Sequence, residues 1–338
     1  MRFEFYSEAL DDVPKLSVDG TVSNSIHFSH WQGNKTPTEL KADTSTEIAL
    51  NLVTSPQPDR FIKNIDLVTN NHFDTDGVLS VWTVLSGERA AKYREILIAA
   101  AEAGDFSEYS SADGVRVSLV IQGSDQTIPT DDTGSPFARL LAGDDVNDDE
   151  RCYELILPEV ERLLTNVNDF EPLWRDGWKK IVEALESFDR GESMVTEYSD
   201  SRISLITLAP EIFSGEGFNP TRHSAPYTAI SKFARGQLFI IAIPTSGGWF
   251  YRVDYPYYSW AETVVRPKIE RRDLTNVLQI LNEKEDNRNA GLWQADSREL
   301  SSAAKFTNAQ NTLVASRLKP DEVIEAFSST TSKAATSR

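Results

Sequence analysis

Residues 65–80 read IDLVTNNHFDTDGVLS. Residues 64–70 form a short apolar run of β-prone side chains, and 78–87 (VLSVWTVLSG) carry helix-like spacing, with a polar turn between the two. Strand, loop and helix in that order make half of a βαβ unit. Downstream, 88–103 is rich in the best helix formers and Gly104 supplies a stop signal, after which VRVSLVIQ at 115–122 reads as a second strand. Upstream, RFEFYS at 2–7 alternates apolar and polar residues as a half-buried strand does, before Pro14 and Gly20 interrupt. The second half of 38–53 (TELKADTSTEIALNLV) has the apolar spacing of a helix. Strands alternating with helices predict an α/β layer built on a parallel sheet.

The second half of the chain has a different pattern. Residues 126–150 are dense in Asp, Gly, Thr and Pro and read as a surface loop or linker. Trp174, Trp178, Ile181, Leu185 and Phe188 then recur at alternating spacings of four and three, on one face of a helix. ISLITLA at 203–209, QLFIIAIP at 237–244 and GWFYRVDY at 248–255 are strand candidates, the last two joined in a hairpin by Thr245, Ser246, Gly247 and Gly248. Residues 271–285 read as a helix, and 328–338 (SSTTSKAATSR) have too little apolar content to fold alone. The expected organisation is an α/β metal-binding domain at 1–145, a helical connector at 146–192, a smaller α+β substrate-binding domain at 193–327 and a disordered tail at 328–338.

With 34 Lys and Arg against 52 Asp and Glu, the chain carries a net charge of −18 over 338 residues. That opposes binding to long nucleic acid or to an anionic membrane, both of which require a broad basic surface. No apolar run approaches the ~20 residues that span a bilayer, and MRFEFYSEALDD lacks the cationic and apolar regions of a signal peptide. The single cysteine, Cys152, forms no internal disulfide and excludes a multi-cysteine zinc site. A cytoplasmic protein is expected. There is no Gly-x-Ser-x-Gly elbow, which counts against a serine hydrolase, and no P-loop or Gly-x-Gly-x-x-Gly fingerprint is present.

The chemistry concentrates where strand gives way to helix. His72, Asp74 and Asp76 alternate along an extended segment and can face one side, at the strand end where α/β ligands bind. Hard carboxylates with an imidazole suit Mn²⁺ or Mg²⁺. The alternative reading makes Asp-Thr-Asp-Gly a turn whose carboxylates cap the helix. Further metal ligands are expected from His30, Asp43 and Asp105, with Asp125 as another candidate, and His27 is expected to be structural. A second, basic and aromatic constellation spans 247–273, where Arg266, Lys268 and Arg271 are candidate phosphate contacts.

The segment IDLVTNNHFDTDGVLS resembles the first motif of the DHH phosphoesterase superfamily, in which a strand ends in a metal-holding His/Asp-x-Asp-x-Asp-Gly loop. The resemblance covers about 16 residues. It implies a parallel-sheet N-terminal domain with a smaller α+β C-terminal domain. The function it implies is divalent-metal-dependent hydrolysis of a small phosphorylated molecule or short oligonucleotide, with His72 and Asp76 as catalytic metal ligands. Arg222 and His223 stand weakly in place of the superfamily's glycine-rich His motif. The chain holds no Asp-His-His, which keeps open a non-catalytic ligand- or metal-binding protein on the same scaffold. As a whole, including SHWQGNKTPTEL, AGDF and YYSWAETVVRPKIERRDL, the chain is similar to an uncharacterised bacterial family.

Overall fold

A computed structural model describes residues 1–123, 134–210, 224–296 and 301–331. The chain divides into two compact units, Met1–Lys180 with Trp260–Lys268, and Ile181–Ser259 with Ile269–Arg338.

The first unit is built on a four-stranded parallel sheet in the order β1-β4-β2-β3, with β1 Arg2–Phe3, β2 Lys15–Val18, β3 Ser25–Phe28 and β4 Leu67–Thr69. Leu16, Val18, Leu67 and Val68 are all fully buried, each contributing roughly 1.5–3 kcal/mol of apolar burial. Its first five α-helices are α1 Ser45–Val53, α2 Asp59–Ile62, α3 Thr75–Ser86, α4 Arg94–Phe106 and α5 Ala112–Ile121. Helix α3 packs on α1 and α4, and α4 packs on α5. Thr44 starts α1 by accepting a hydrogen bond from Glu47 N at 3.2 Å, a cap worth about 1 kcal/mol.

Three features differ from the sequence expectation. Residues 115–122, expected as a strand, lie largely in α5. Ser111 caps this helix, and Gly114 sits so close to α4 that a Cβ there would fall 2.5 Å from Ala99 Cβ. Helix packing thus overrides the β preference of its valines. The missing strands come from the region around Pro14 and Gly20, as β2 and β3. Gly104 does not stop α4. The helix continues to Phe106 and ends on Ser107 in the left-handed conformation at φ 49°, while Gly104 lets α3 approach: a Cβ there would lie 2.7 Å from Thr75 Cβ. The expected linker also contains helix Pro136–Ala142, capped by Ser135, and the start of helix Asp149–Ile156, capped by Asp148.

The predicted apolar face of helix Glu171–Asp189 is present. Trp174, Ile181 and Leu185 are buried, and the Arg116 guanidinium stacks on Trp174 and Trp178 at 4.7 and 4.6 Å.

The second unit has a six-stranded mixed sheet in the order β5-β6-β7-β8-β10-β9, with β5 Met194–Tyr198, β6 Ile203–Thr207, β7 Leu238–Thr245, β8 Gly248–Asp254, β9 Leu292–Ala295 and β10 Ser302–Thr307. Only β6 and β7 pair in parallel. The hairpin at Thr245–Gly248 forms as predicted, with those two residues opposite one another. Helices Thr275–Lys284 and Pro320–Thr331 supply Val277, Leu281, Val323 and Phe327 to a core with Tyr251, Trp293 and Phe306. Across the described residues no helix is long and apolar enough to cross a membrane.

Candidate metal centre

The parallel sheet collects acidic and imidazole groups at the carboxyl ends of its strands. Asp19 follows β2 in the left-handed conformation at φ 57°, His30 follows β3, and Asn70 to Asp76 follow β4. Because β2 lies between β4 and β3, Asp19 occupies the middle of this edge. Asp105 arrives from the last turn of α4.

Two groups of ligand atoms result, each lying within 4.8 Å of one another: Asp19, His30, Asp76 and Asp105, and Asp19, His72 and Asp74. Asp19 belongs to both. In the inner group His30 Nε2 is 3.2 Å from Asp105 Oδ2 and His30 Nδ1 is 3.4 Å from Asp76 Oδ2. The outer group centres on His72 Nε2, which lies 3.0 Å from Asp74 Oδ2 and 3.2 Å from Asp19 Oδ2. The inner side chains are almost wholly buried, whereas His72 and Asp74 are 29% and 23% exposed, so the centre opens to solvent on their side. The exposed Trp31 ring stands there, 5.5 Å from the His72 ring.

The carboxylates are held in place by the protein's own hydrogen bonds. Asp74 Oδ1 caps α3 by accepting from Gly77 N at 2.7 Å, which leaves Oδ2 to face His72. Capping therefore uses one oxygen of the side chain and leaves the other in the acidic cluster. Asp76 accepts from Ser45 N and Thr46 N, both at 2.7 Å, so the free N–H groups that begin α1 fix its plane. Ser45 Oγ donates to Asp19 Oδ1 at 2.8 Å. Tyr153 secures the loop, since its hydroxyl accepts from Asn70 Nδ2 at 3.0 Å and donates to the His72 carbonyl at 3.1 Å.

Packing four carboxylates together has electrostatic consequences. Burial, reinforced by the charges of Asp74 and Asp76, drives the Asp19 and Asp105 carboxyls well above the ordinary range. Burial also raises Asp76, with His30 opposing it. Burial alone would lower His72, but Asp74 and Asp19 overcome it and push the imidazole up to about 12. Asp74 moves the other way because the charge of His72 and its hydrogen bond outweigh burial. Asp19 Oδ2 and His30 Nε2 are buried polar atoms without a well-directed hydrogen bond. Native interiors rarely leave such atoms unsatisfied.

The remaining expected residues are placed elsewhere. Asp43 is not in either group. It accepts from Val264 N, from Val265 N at 2.9 Å and from Arg266 N at 3.1 Å, and pairs with Arg266 Nη1 at 2.7 Å. Its carboxyl falls below the ordinary value because these hydrogen bonds outweigh burial. Arg266 is held by Asp43, Glu102 and Glu108. Lys268 is exposed in the first unit, and Arg271, in the second, stacks on Tyr255 at 5.2 Å. Arg222, His223 and Asp125 lie outside the described residues. His27 serves locally, with Nε2 accepting from Lys35 N at 3.2 Å. Asp19 was missed, although LSVDG at 16–20 repeats in short form the strand-Asp-Gly pattern of the DTDG loop.

A family model matches residues 1–335, under the description Family of unknown function (DUF6687). The chain belongs to this family. The match spans both units, in keeping with the whole-chain likeness to an uncharacterised family. No curated protein and no solved structure matches. No comparison supports membership of the DHH superfamily, so that likeness stays confined to residues 65–80.

Proposed function

We propose that the first unit binds two divalent cations, Mn²⁺ or Mg²⁺, and hydrolyses a phosphoester or phosphoanhydride bond in a small phosphorylated molecule. The observation that carries this is the sharing of Asp19 between two ligand groups, one of them completed by His30, Asp76 and Asp105 and the other by His72 and Asp74. Oxygen and imidazole donors suit these hard ions. Four ionised carboxylates balance the charge of two dications, and Asp19 Oδ2 and His30 Nε2, buried without a well-directed hydrogen bond, are the kind of atoms a cation would satisfy. When bound, such a pair polarises phosphoryl oxygens and lowers the pKa of water to near neutrality.

The chain's own residues would divide the remaining work. His72 and Asp74, the partly exposed members, face the incoming phosphate, while Asp76 and Asp105 stay buried behind them. Tyr153 and Asn70 hold the loop that carries His72. A net charge of −18 disfavours long nucleic acid as substrate, and a buried lone Cys152 fits a cytoplasmic setting.

A second reading, a cation- or ligand-binding protein without turnover, is favoured by one observation. Arg266, expected to meet phosphate, is engaged by three carboxylates. Thermal stability across a Mn²⁺ titration, in wild type and in Asp74→Ala/Asp76→Ala, followed by turnover of bis(p-nitrophenyl) phosphate and pyrophosphate, separates the readings. A saturable rise lost in the variant, with turnover, supports the hydrolase. A rise without turnover supports the binding protein, and no rise in wild type removes both cations.

A further inference from the structure

We infer that Arg266 is a positioning residue for the inner cation site, acting through the turn that carries Asp105; this rests on the two-cation reading above. Residues 260–268 lie between two stretches of the second unit yet belong to the first. They form a strap fastened at both ends. At the start of the strap, Trp31 and Ala261 form an antiparallel bridge, Glu262 N donates to the His30 carbonyl at 2.6 Å, and the Glu262 carboxylate accepts from Asn34 Nδ2 at 3.1 Å and pairs with Lys41. At its end, Arg266 reaches the last turn of α4.

The contacts there bracket Asp105 in the chain. Arg266 Nη2 donates to Glu102 Oε1 at 2.7 Å, three residues before Asp105, and Nε donates to both Glu108 oxygens at 3.1 Å, three residues after it. Nη1 holds Asp43 at 2.7 Å. One planar guanidinium thus grips the chain on both sides of the ligand, a fork geometry that an ammonium cannot reproduce. The guanidinium also lies 5.0 Å over the Phe106 ring, which in turn has the His30 ring at 5.7 Å and the Trp260 ring at 6.2 Å. Trp260 in turn meets the His30 ring edge-on at 4.9 Å. Both inner ligands that sheet and helix bring together, His30 and Asp105, are therefore backed by the strap.

Charge acts in the same direction. Without the guanidinium, Asp43, Glu102 and Glu108 would be three acids converging behind a cluster that already holds four. Their repulsion would open the turn after α4 and carry Asp105 away from His30. The outer group, made of Asp19, His72 and Asp74, rests on β2 and the β4 loop.

The test measures Mn²⁺ binding to the full chain by calorimetry and by electron paramagnetic resonance, for wild type, Arg266→Gln, Arg266→Lys and Asp105→Asn. The expected wild-type result is two ions with a spin-coupled signal. Arg266→Gln and Asp105→Asn should both weaken one ion by about 10- to 100-fold, the usual scale for a group that orients a ligand, and leave an uncoupled single-ion signal. Arg266→Lys, which keeps the charge and so protects folding, should fall between them and wild type. Two ions bound with wild-type affinity and coupling in Arg266→Lys and Arg266→Gln, whatever happens to thermal stability, would overturn the inference. So would unchanged ion binding with a raised KM for a phosphorylated substrate, which would return Arg266 to the substrate. Failure of wild type to bind any ion would instead overturn the two-cation reading beneath it.

Discussion

Asp19 Oδ2 lies 3.2 Å from His72 Nε2, joining the end of β2 to the loop after β4. This contact makes Asp19 the only member common to the two ligand groups found among the described residues.

Replacing it therefore has a different signature from replacing any other member. Asp19→Asn is expected to weaken both Mn²⁺ ions by on the order of 100-fold, whereas His72→Ala weakens one and Asp105→Asn the other. Calorimetric stoichiometry at fixed pH distinguishes the three; retention of one tight ion in Asp19→Asn would show that it is not shared.

The pH dependence of stability follows from the same packing. Asp19 and Asp105 have raised carboxyl pKa values, and His72 is raised to about 12. A raised folded-state value means a contribution fully present below the unfolded value, near 4 for Asp and about 6.5 for His, and lost as pH climbs through the folded value. In EDTA the protein should lose stability as pH rises above about 4, with His72 adding to the loss from about pH 6.5 upward, and Asp19→Asn should flatten the first part of that slope. Added Mn²⁺ should reverse the trend, because ligation requires deprotonated groups. Thermal melts in both buffers check it.

Tyr153→Phe keeps the ring stacked on Phe3 at 4.9 Å but removes the hydroxyl shared by Asn70 and the His72 carbonyl. A buried amide and a partly buried carbonyl lose a partner, so urea denaturation should show a loss of about 1–3 kcal/mol. Mn²⁺ affinity at the His72 side should fall with it.

Gly77→Ala sets two effects against each other. Alanine is better than glycine in a helix by about 1 kcal/mol. The added Cβ, however, would fall 2.6 Å from both Tyr153 Oη and Asn70 Nδ2 and 3.0 Å from Asp74 Oδ1. Overpacking of this kind costs about 1–3 kcal/mol, so a net loss of stability is expected, together with weaker Mn²⁺ binding. A denaturation midpoint above that of wild type would contradict it.

The 65–80 loop, α1, the apolar face of Glu171–Asp189 and the 245–248 hairpin were legible in the chain because each is specified by local period and turn chemistry. So were the net charge and the strand-to-helix position of His72 and Asp74, whereas Asp76, expected on the same extended segment, lies in the first turn of α3 and joins His30 and Asp105 instead. What local pattern cannot carry was decided by packing. Strand β2 is four residues long and buried at every position, including Lys15, whose ammonium is held by the carbonyls of Leu10 and Val13. It shows no alternation to read. Residues 112–121 are helical because Gly114 lets them lie against α4. Asp19 became central only through the strand order, which places β2 between β4 and β3. Asp43 and Arg266, both expected at ligands, were drawn to each other instead, because an arginine buried beside three acids is more stable paired than aimed at solvent. Sequence named the kinds of groups available, and tertiary structure determined which of them converge, since convergence depends on strand order and on partners distant in the chain.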